Sequence, residues 1–192
     1  QGQFALAEVV AGRIASARAL ALGALEVADN TGAKLRRETA AAWLALAAAE
    51  AHRGDAAATL RALESCSAAL DEDRDPLVAA GMHVVAVRRA LLLADLPAAR
   101  RGLGEISRRL VTRPGMRHVA SLRVALAVEV ELASGLLPRA RAILADAEPV
   151  DDAAPGEPDV LAVPRARLLL AGGQPEAVRE SLGAMLAQEG AV

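Results

Sequence analysis

Apolar residues recur at three- and four-residue spacing along nearly the whole chain, the period of a helix with one buried face. The pattern predicts helices over 5–28, 34–53, 56–71, 76–94, 97–111, 116–134, 138–147, 159–172 and 174–188. Pro164 falls inside the eighth, so that helix is expected to kink there or to start near Val163. One long break, EPVDDAAPGEP over 148–158, holds three prolines and four acids and reads as a loop.

Comparing the chain with itself finds one unit used four times. HRGDAAATLRAL, LLADLPAARRGL, LASGLLPRARAIL and LLAGGQPEAVRESL each join a helix end, a short turn and a new helix. Anchored on Gly54, Ala94, Gly135 and Gly172, the spacings are 40, 41 and 37 residues. Glycine suits a helix end that turns through positive φ, and Pro97, Pro138 and Pro175 suit the first turn of the helix that follows. Seven residues before the anchors stand Ala47, Val87, Val128 and Arg165. Five after stand Thr59, Ala99, Ala140 and Ala177, and nine after stand Leu63, Leu103, Leu144 and Ser181. Small residues facing bulky ones let antiparallel helices pack closely. The fourth copy fits worst, with Arg165 and Ser181 where the others are mostly apolar. A hairpin cannot bury its apolar face alone, so the expectation is an all-α α-solenoid of about nine helices. Its hairpins span 34–71, 76–111, 116–147 and 159–188, within a single domain over 1–192. The start in mid-pattern at Gln1 reads as part of a longer protein.

Composition strengthens the helical reading. Of 192 residues, 48 are Ala and 29 Leu, whereas the aromatics are Phe4 and Trp43 alone. Such a chain has high helix propensity, and 54% apolar residues can bury a substantial core. A net charge of −2 argues against a surface built for nucleic acid, and the bias of 21 Arg against the single Lys34 reads as the mark of a GC-rich bacterial genome rather than of phosphate recognition. The single Cys66 cannot form an internal disulfide, which fits a cytoplasmic protein. The apolar stretches around 39–49 and 76–87 are too short to cross a bilayer.

Catalytic and metal motifs are missing. His52, His83 and His118 lie on three predicted helices without ligand spacing. Asp71, Asp73 and Asp75 imitate a calcium loop, but Pro76 replaces the required glycine and Met82 the final acid, so this is a helix-ending turn. Gly102 and Gly104 lack a third glycine and sit inside a helix. No G-x-S-x-G occurs, and Cys66 falls at an inner position where a thiol is inert. The expectation is no enzyme activity, no catalytic residue, no metal and no cofactor. Trp43 is expected in the core.

Trp43, Leu46 and Ala47 before Gly54-Asp55, with Thr59, Leu63 and Cys66 after, resemble a tetratricopeptide repeat with a lengthened period. The forty-residue Ala/Leu/Arg-rich unit, with turns such as RGD-AAA and GGQPEAVRESL, is similar to the helical repeat domain of the large MalT-like regulators of the LuxR family. The resemblance covers residues 5–190 and implies a right-handed superhelix between an ATPase module and a helix-turn-helix. Neither module is in this sequence, which has no G-x-x-x-x-G-K-[ST]. It further implies a sensor that binds an inducer, peptide or protein partner on its concave face, without touching nucleic acid or membrane itself. The alternative is a repeat scaffold unrelated to transcription. In that register Leu44, His52, Val84, Arg88, Leu91, Glu129 and Leu132 line the groove. Apolar faces near Phe4–Val10 and Leu182–Leu186 leave homo-oligomerisation open.

Overall fold

The computed structural model describes residues 2–31, 39–72, 74–112, 116–147 and 159–180. Among them are helices and no strand. In chain order the helices are α1 (Gly2–Val10), α2 (Ile14–Asn30), α3 (Ala40–His52), α4 (Ala56–Ala69) and α5 (Pro76–Leu92). There follow α6 (Leu96–Thr112), α7 (Arg117–Ala133), α8 (Leu137–Asp146) and α9 (Ala162–Ala171). Residues 175–180 begin a further helix. The expected start at 34, the loop over 148–158, the end at 188 and the face near Leu182–Leu186 lie outside the described residues. The other expected starts and ends agree to within a few residues except at the N-terminus. There the helix expected over 5–28 is two helices, broken at Ala11–Arg13.

That break has the same backbone geometry as the turns after α3, α5, α7 and α9, whereas α2, α4 and α8 end without a left-handed residue. Gly12, Gly54, Ala94, Gly135 and Gly173 are the left-handed residues, with φ of +74°, +79°, +54°, +73° and +74°. In each turn the amide after the left-handed residue donates to the carbonyl five residues back, Arg13 to Glu8, Asp55 to Glu50, Asp95 to Ala90, Leu136 to Glu131 and Gln174 to Leu169, at 2.9–3.0 Å. The left-handed residue's own amide donates three residues back at 2.9–3.1 Å. Together these two bonds make a Schellman cap, which satisfies carbonyls that a helix end leaves free. Two of the helices that follow are capped by a carboxylate: Asp55 accepts from the Ala58 amide at 2.8 Å and Asp95 from the Ala98 amide at 2.9 Å.

The turn geometry corrects the register of the fourth copy. Its anchor is Gly173, not Gly172, and the spacings become 42, 40, 41 and 38 residues. Five residues after the anchors now stand Ala17, Thr59, Ala99, Ala140 and Val178. Seven before stand Ala5, Ala47, Val87, Val128 and Ala166. All ten side chains are buried, 0–8% exposed. Arg165 is no misfit in this register; it lies one step round the helix, exposed. Of the two adjacent glycines, Gly173 takes the left-handed φ and Gly172 does not, and the fourth copy is regular at both positions.

The chain forms two compact units, residues 1–119 and 120–192. In the first, α1 and α2 pack together and on α3, α4 packs on α3, α5 packs on both α3 and α4, and α6 packs on α5. Helix α3 is the centre: its residues from Ala40 to Ala51 are buried apart from the half-buried Trp43. Alanines there let four neighbouring helices approach, while Leu25, Leu44, Leu63, Val78 and Val85 fill the remaining space. Trp43 packs against this cluster, as expected of a core residue. In the second unit Val128, Ala140 and Leu168 join α7, α8 and α9, with Leu132, Leu137, Ile143 and Leu144 around them. Pro164 sits in the first turn of α9, where a missing amide costs nothing. No described helix is long and apolar enough to cross a membrane.

Candidate binding face

The seven groove positions separate by burial. Leu44 and Val84 are 4% and 5% exposed, so the expectation that they line an accessible groove is corrected. Leu44 reaches across to α5, where a Cβ on Gly81 would lie 2.7 Å from its Cδ2. The close approach of α3 and α5 closes this part of the face. Within the first unit His52, Arg88 and Leu91 keep some exposure, and Leu92 and Leu93 beyond them are open to solvent. Within the second unit Glu129 is half-buried and bonded to Arg167 of α9. Leu132 packs against the second core rather than standing free.

His52 and Arg88 form one contact, with an Arg88 guanidinium N–H directed at Nε2 of the imidazole. That bond needs a lone pair on Nε2, so the ring is neutral and carries its proton on Nδ1. Desolvation, and then the Arg88 cation, lower the His52 pKa from its ordinary value of 6.5. His83 on α5 is lowered as well, mainly by burial and then by Arg109, while Glu105 and Glu72 act in the opposite direction. His118 lies on α7 and is half-buried.

Three ion pairs that the sequence pattern did not single out tie elements of the first unit together. Glu50, 5% exposed, accepts from Arg18 of α2 at 2.6 Å and faces Arg53 at 3.4 Å, tying the first hairpin to the end of α3. Arg109 of α6 meets Glu72, in the turn before α5, at 2.8 Å. Arg89 spans helices too, donating from Nε to the Ala56 carbonyl at 2.9 Å. The sequence signal for the Glu50 pairs is a recurrent acid four residues before the turn anchor, at Glu8, Glu50 and Glu131, and Arg109–Glu72 has no such signal.

The remaining candidates for chemistry are placed in the structure. The Cys66 thiol is buried and donates to the Ala40 carbonyl at 3.2 Å; burial pushes its pKa up to about 12, which keeps it a thiol. Asp71 accepts from the Arg74 and Asp75 amides through its carbonyl, so this acidic stretch is a turn leading into Pro76 at the start of α5; Asp73 lies outside the described residues. Gly102 and Gly104 are inside α6. Among the described residues no group of three His, Cys, Asp or Glu side chains is placed to hold a metal ion. What the accessible part of the face offers is recognition chemistry: a guanidinium and a neutral imidazole on one helix pair, and leucines at a nearby turn. No protein-family model, no curated protein and no solved structure matches this chain.

Proposed function

We propose that the chain is a stacked α-solenoid that works by binding, as the sensor and interaction region of a LuxR-family transcriptional regulator. The observation that supports the solenoid is the fivefold recurrence of one Schellman turn at a period near forty residues, with the same two positions buried around each turn. A repeat of this kind specifies neighbours, and hairpins that share neighbours stack. The resemblance to MalT-like regulators carries the assignment to transcription. In this reading the binding surface is the exposed edge holding His52, Arg88 and Leu91, extended by Leu92 and Leu93. A guanidinium beside leucines suits a peptide or inducer that carries both an acid and an apolar group. The chain supplies no catalytic step, contacts no DNA and works in the cytoplasm. Its mechanism is a shift between stacking arrangements that bind the inducer with different affinity.

The encoding reading frame provides the first test. A nucleotide-binding loop upstream and a helix-turn-helix downstream are expected; a frame with neither overturns the regulator and leaves a general repeat scaffold. Titration of the chain with duplex DNA provides the second. Binding that weakens steeply with salt would contradict both readings, because that dependence marks direct phosphate contact.

A further inference from the structure

Corresponding positions in successive hairpins are not equally covered. Counted back from the left-handed turn residue, positions −12, −8, −5 and −4 share one stripe of the first helix of each hairpin, because steps of three and four stay on one face. In α3 this stripe is Ala42, Leu46, Ala49 and Glu50, and all four are buried. The first hairpin lies on it. A Cβ on Gly2 would come within 3.0 Å of the Ala42 amide nitrogen, and Arg18 reaches Glu50. In α5 the same stripe turns back toward the second hairpin. Met82 packs on the shared core, Ala90 is buried and Arg89 bonds the Ala56 carbonyl, with Ala86 open at the edge.

In α1 the stripe is Phe4, Ala7 and Glu8, and here the face is open. Phe4 is 71% exposed, against 9% for Leu46 at the same position, and Ala7 is exposed where Ala49 is fully buried. On α2, Val27 stands fifteen residues after the turn. From that position in α6, Arg109 reaches back to Glu72; Val27 itself is 52% exposed. The surface that receives the preceding hairpin in the second and third hairpins is thus apolar and uncovered in the first.

Charge narrows what fits there. Glu50 at −4 takes an arginine from position +6 of the hairpin before it, Arg18. Where the acid is replaced by Ala90, position +6 of the preceding hairpin is Leu60. Glu8 supplies the acid again on the open face. It is held by Arg13 through two bonds of 2.8 and 2.6 Å. Glu50 shows that a carboxylate at this position serves two arginines, Arg18 and Arg53.

We infer that the open face of the first hairpin is the docking site for one further helical hairpin of the same forty-residue class, carrying an arginine six residues after its left-handed turn residue to meet Glu8. The inference depends on the packing within residues 1–119 and not on the assignment to transcription.

The test places such a hairpin on the full chain by duplicating residues 2–38 ahead of residue 2, which brings a second copy of Arg18. A reporter, Ala7→Cys, is set in the original copy; Cys66 stays silent because it is buried. Docking is expected to slow modification of the reporter by roughly tenfold or more, as covering a site does, and to raise the urea midpoint. Glu8→Lys or Phe4→Asp in the original copy should each restore fast modification. Equal reactivity with and without the duplicated hairpin overturns the inference. So does protection of Ala7→Cys in the unduplicated chain that appears with a concentration-dependent dimer in sedimentation, since a second copy would then be the occupant.

Discussion

Ala94 is the one described non-glycine residue with positive φ, at +54°. An L-residue with a Cβ costs roughly 1–2 kcal/mol in the left-handed region. The other four turns relieve this with glycine. Ala94→Gly is therefore expected to stabilise the chain by about 0.5–1 kcal/mol in urea unfolding, the rest being returned through the looser unfolded chain. A destabilised variant would mean that the Ala94 methyl makes contacts worth more than the backbone strain. Trp43 gives the opposite expectation. It packs against the first core while keeping part of its ring at the surface. Trp43→Ala should cost about 3 kcal/mol, the low end for a large aromatic; a loss below about 1 kcal/mol would place the indole outside the core. Trp43's place was legible from its repeat position. The turn at Ala94 was legible from the repeat as well; that its alanine takes the left-handed φ in place of glycine is what the backbone adds.

Between elements, two glycines two residues apart in α6 have opposite roles. A Cβ at Gly102 would lie 2.5 Å from Cγ2 of Val87, so the missing side chain is what lets α6 close on α5. At Gly104 a Cβ would meet nothing within 4 Å. Gly102→Ala is expected to destabilise by about 1–3 kcal/mol through overpacking. Gly104→Ala should stabilise by about 0.5–1 kcal/mol through helix propensity alone. Paired thermal melts read both, and changes of the same sign would refute the packing account. The sequence marks both residues as glycines inside a helix. Only the α5–α6 crossing tells which one is a contact.

For the first unit as a whole, acid is the natural probe. Burial and facing arginines lower the folded pKa of His52 and His83, so below about pH 6.5 the unfolded chain binds more protons than the folded one. Their stabilising effect is complete above that pH and is lost progressively as pH falls below it through the lowered folded pKa. A second loss follows at lower pH: Glu8, lowered to about 2 by Arg13, and Glu72, lowered by Arg109, favour the fold only while ionised. The urea midpoint is expected to fall between pH 7.5 and 5.5, and His52→Gln should flatten that fall. A midpoint constant over this range would show that neither imidazole is held neutral by the fold.

The amino-acid sequence alone determined the helical class, most helix positions, the forty-residue period and the inward placing of Thr59, Ala99, Ala140 and Cys66. Periodicity is a local property, and the helix pattern expresses it directly. Tertiary structure decided what depends on distance between helices. Gly12 proved to be a fifth turn, because its left-handed φ is rewarded only when α1 folds back on α2 and α3. Gly173 proved to be the fourth copy's anchor for the same reason of backbone geometry. Leu44 and Val84 left the groove because α3 and α5 approach too closely to leave space between them. His52 found Arg88 and Glu50 found Arg18 across 36 and 32 residues of chain, separations over which a pattern of residue types fixes no partner.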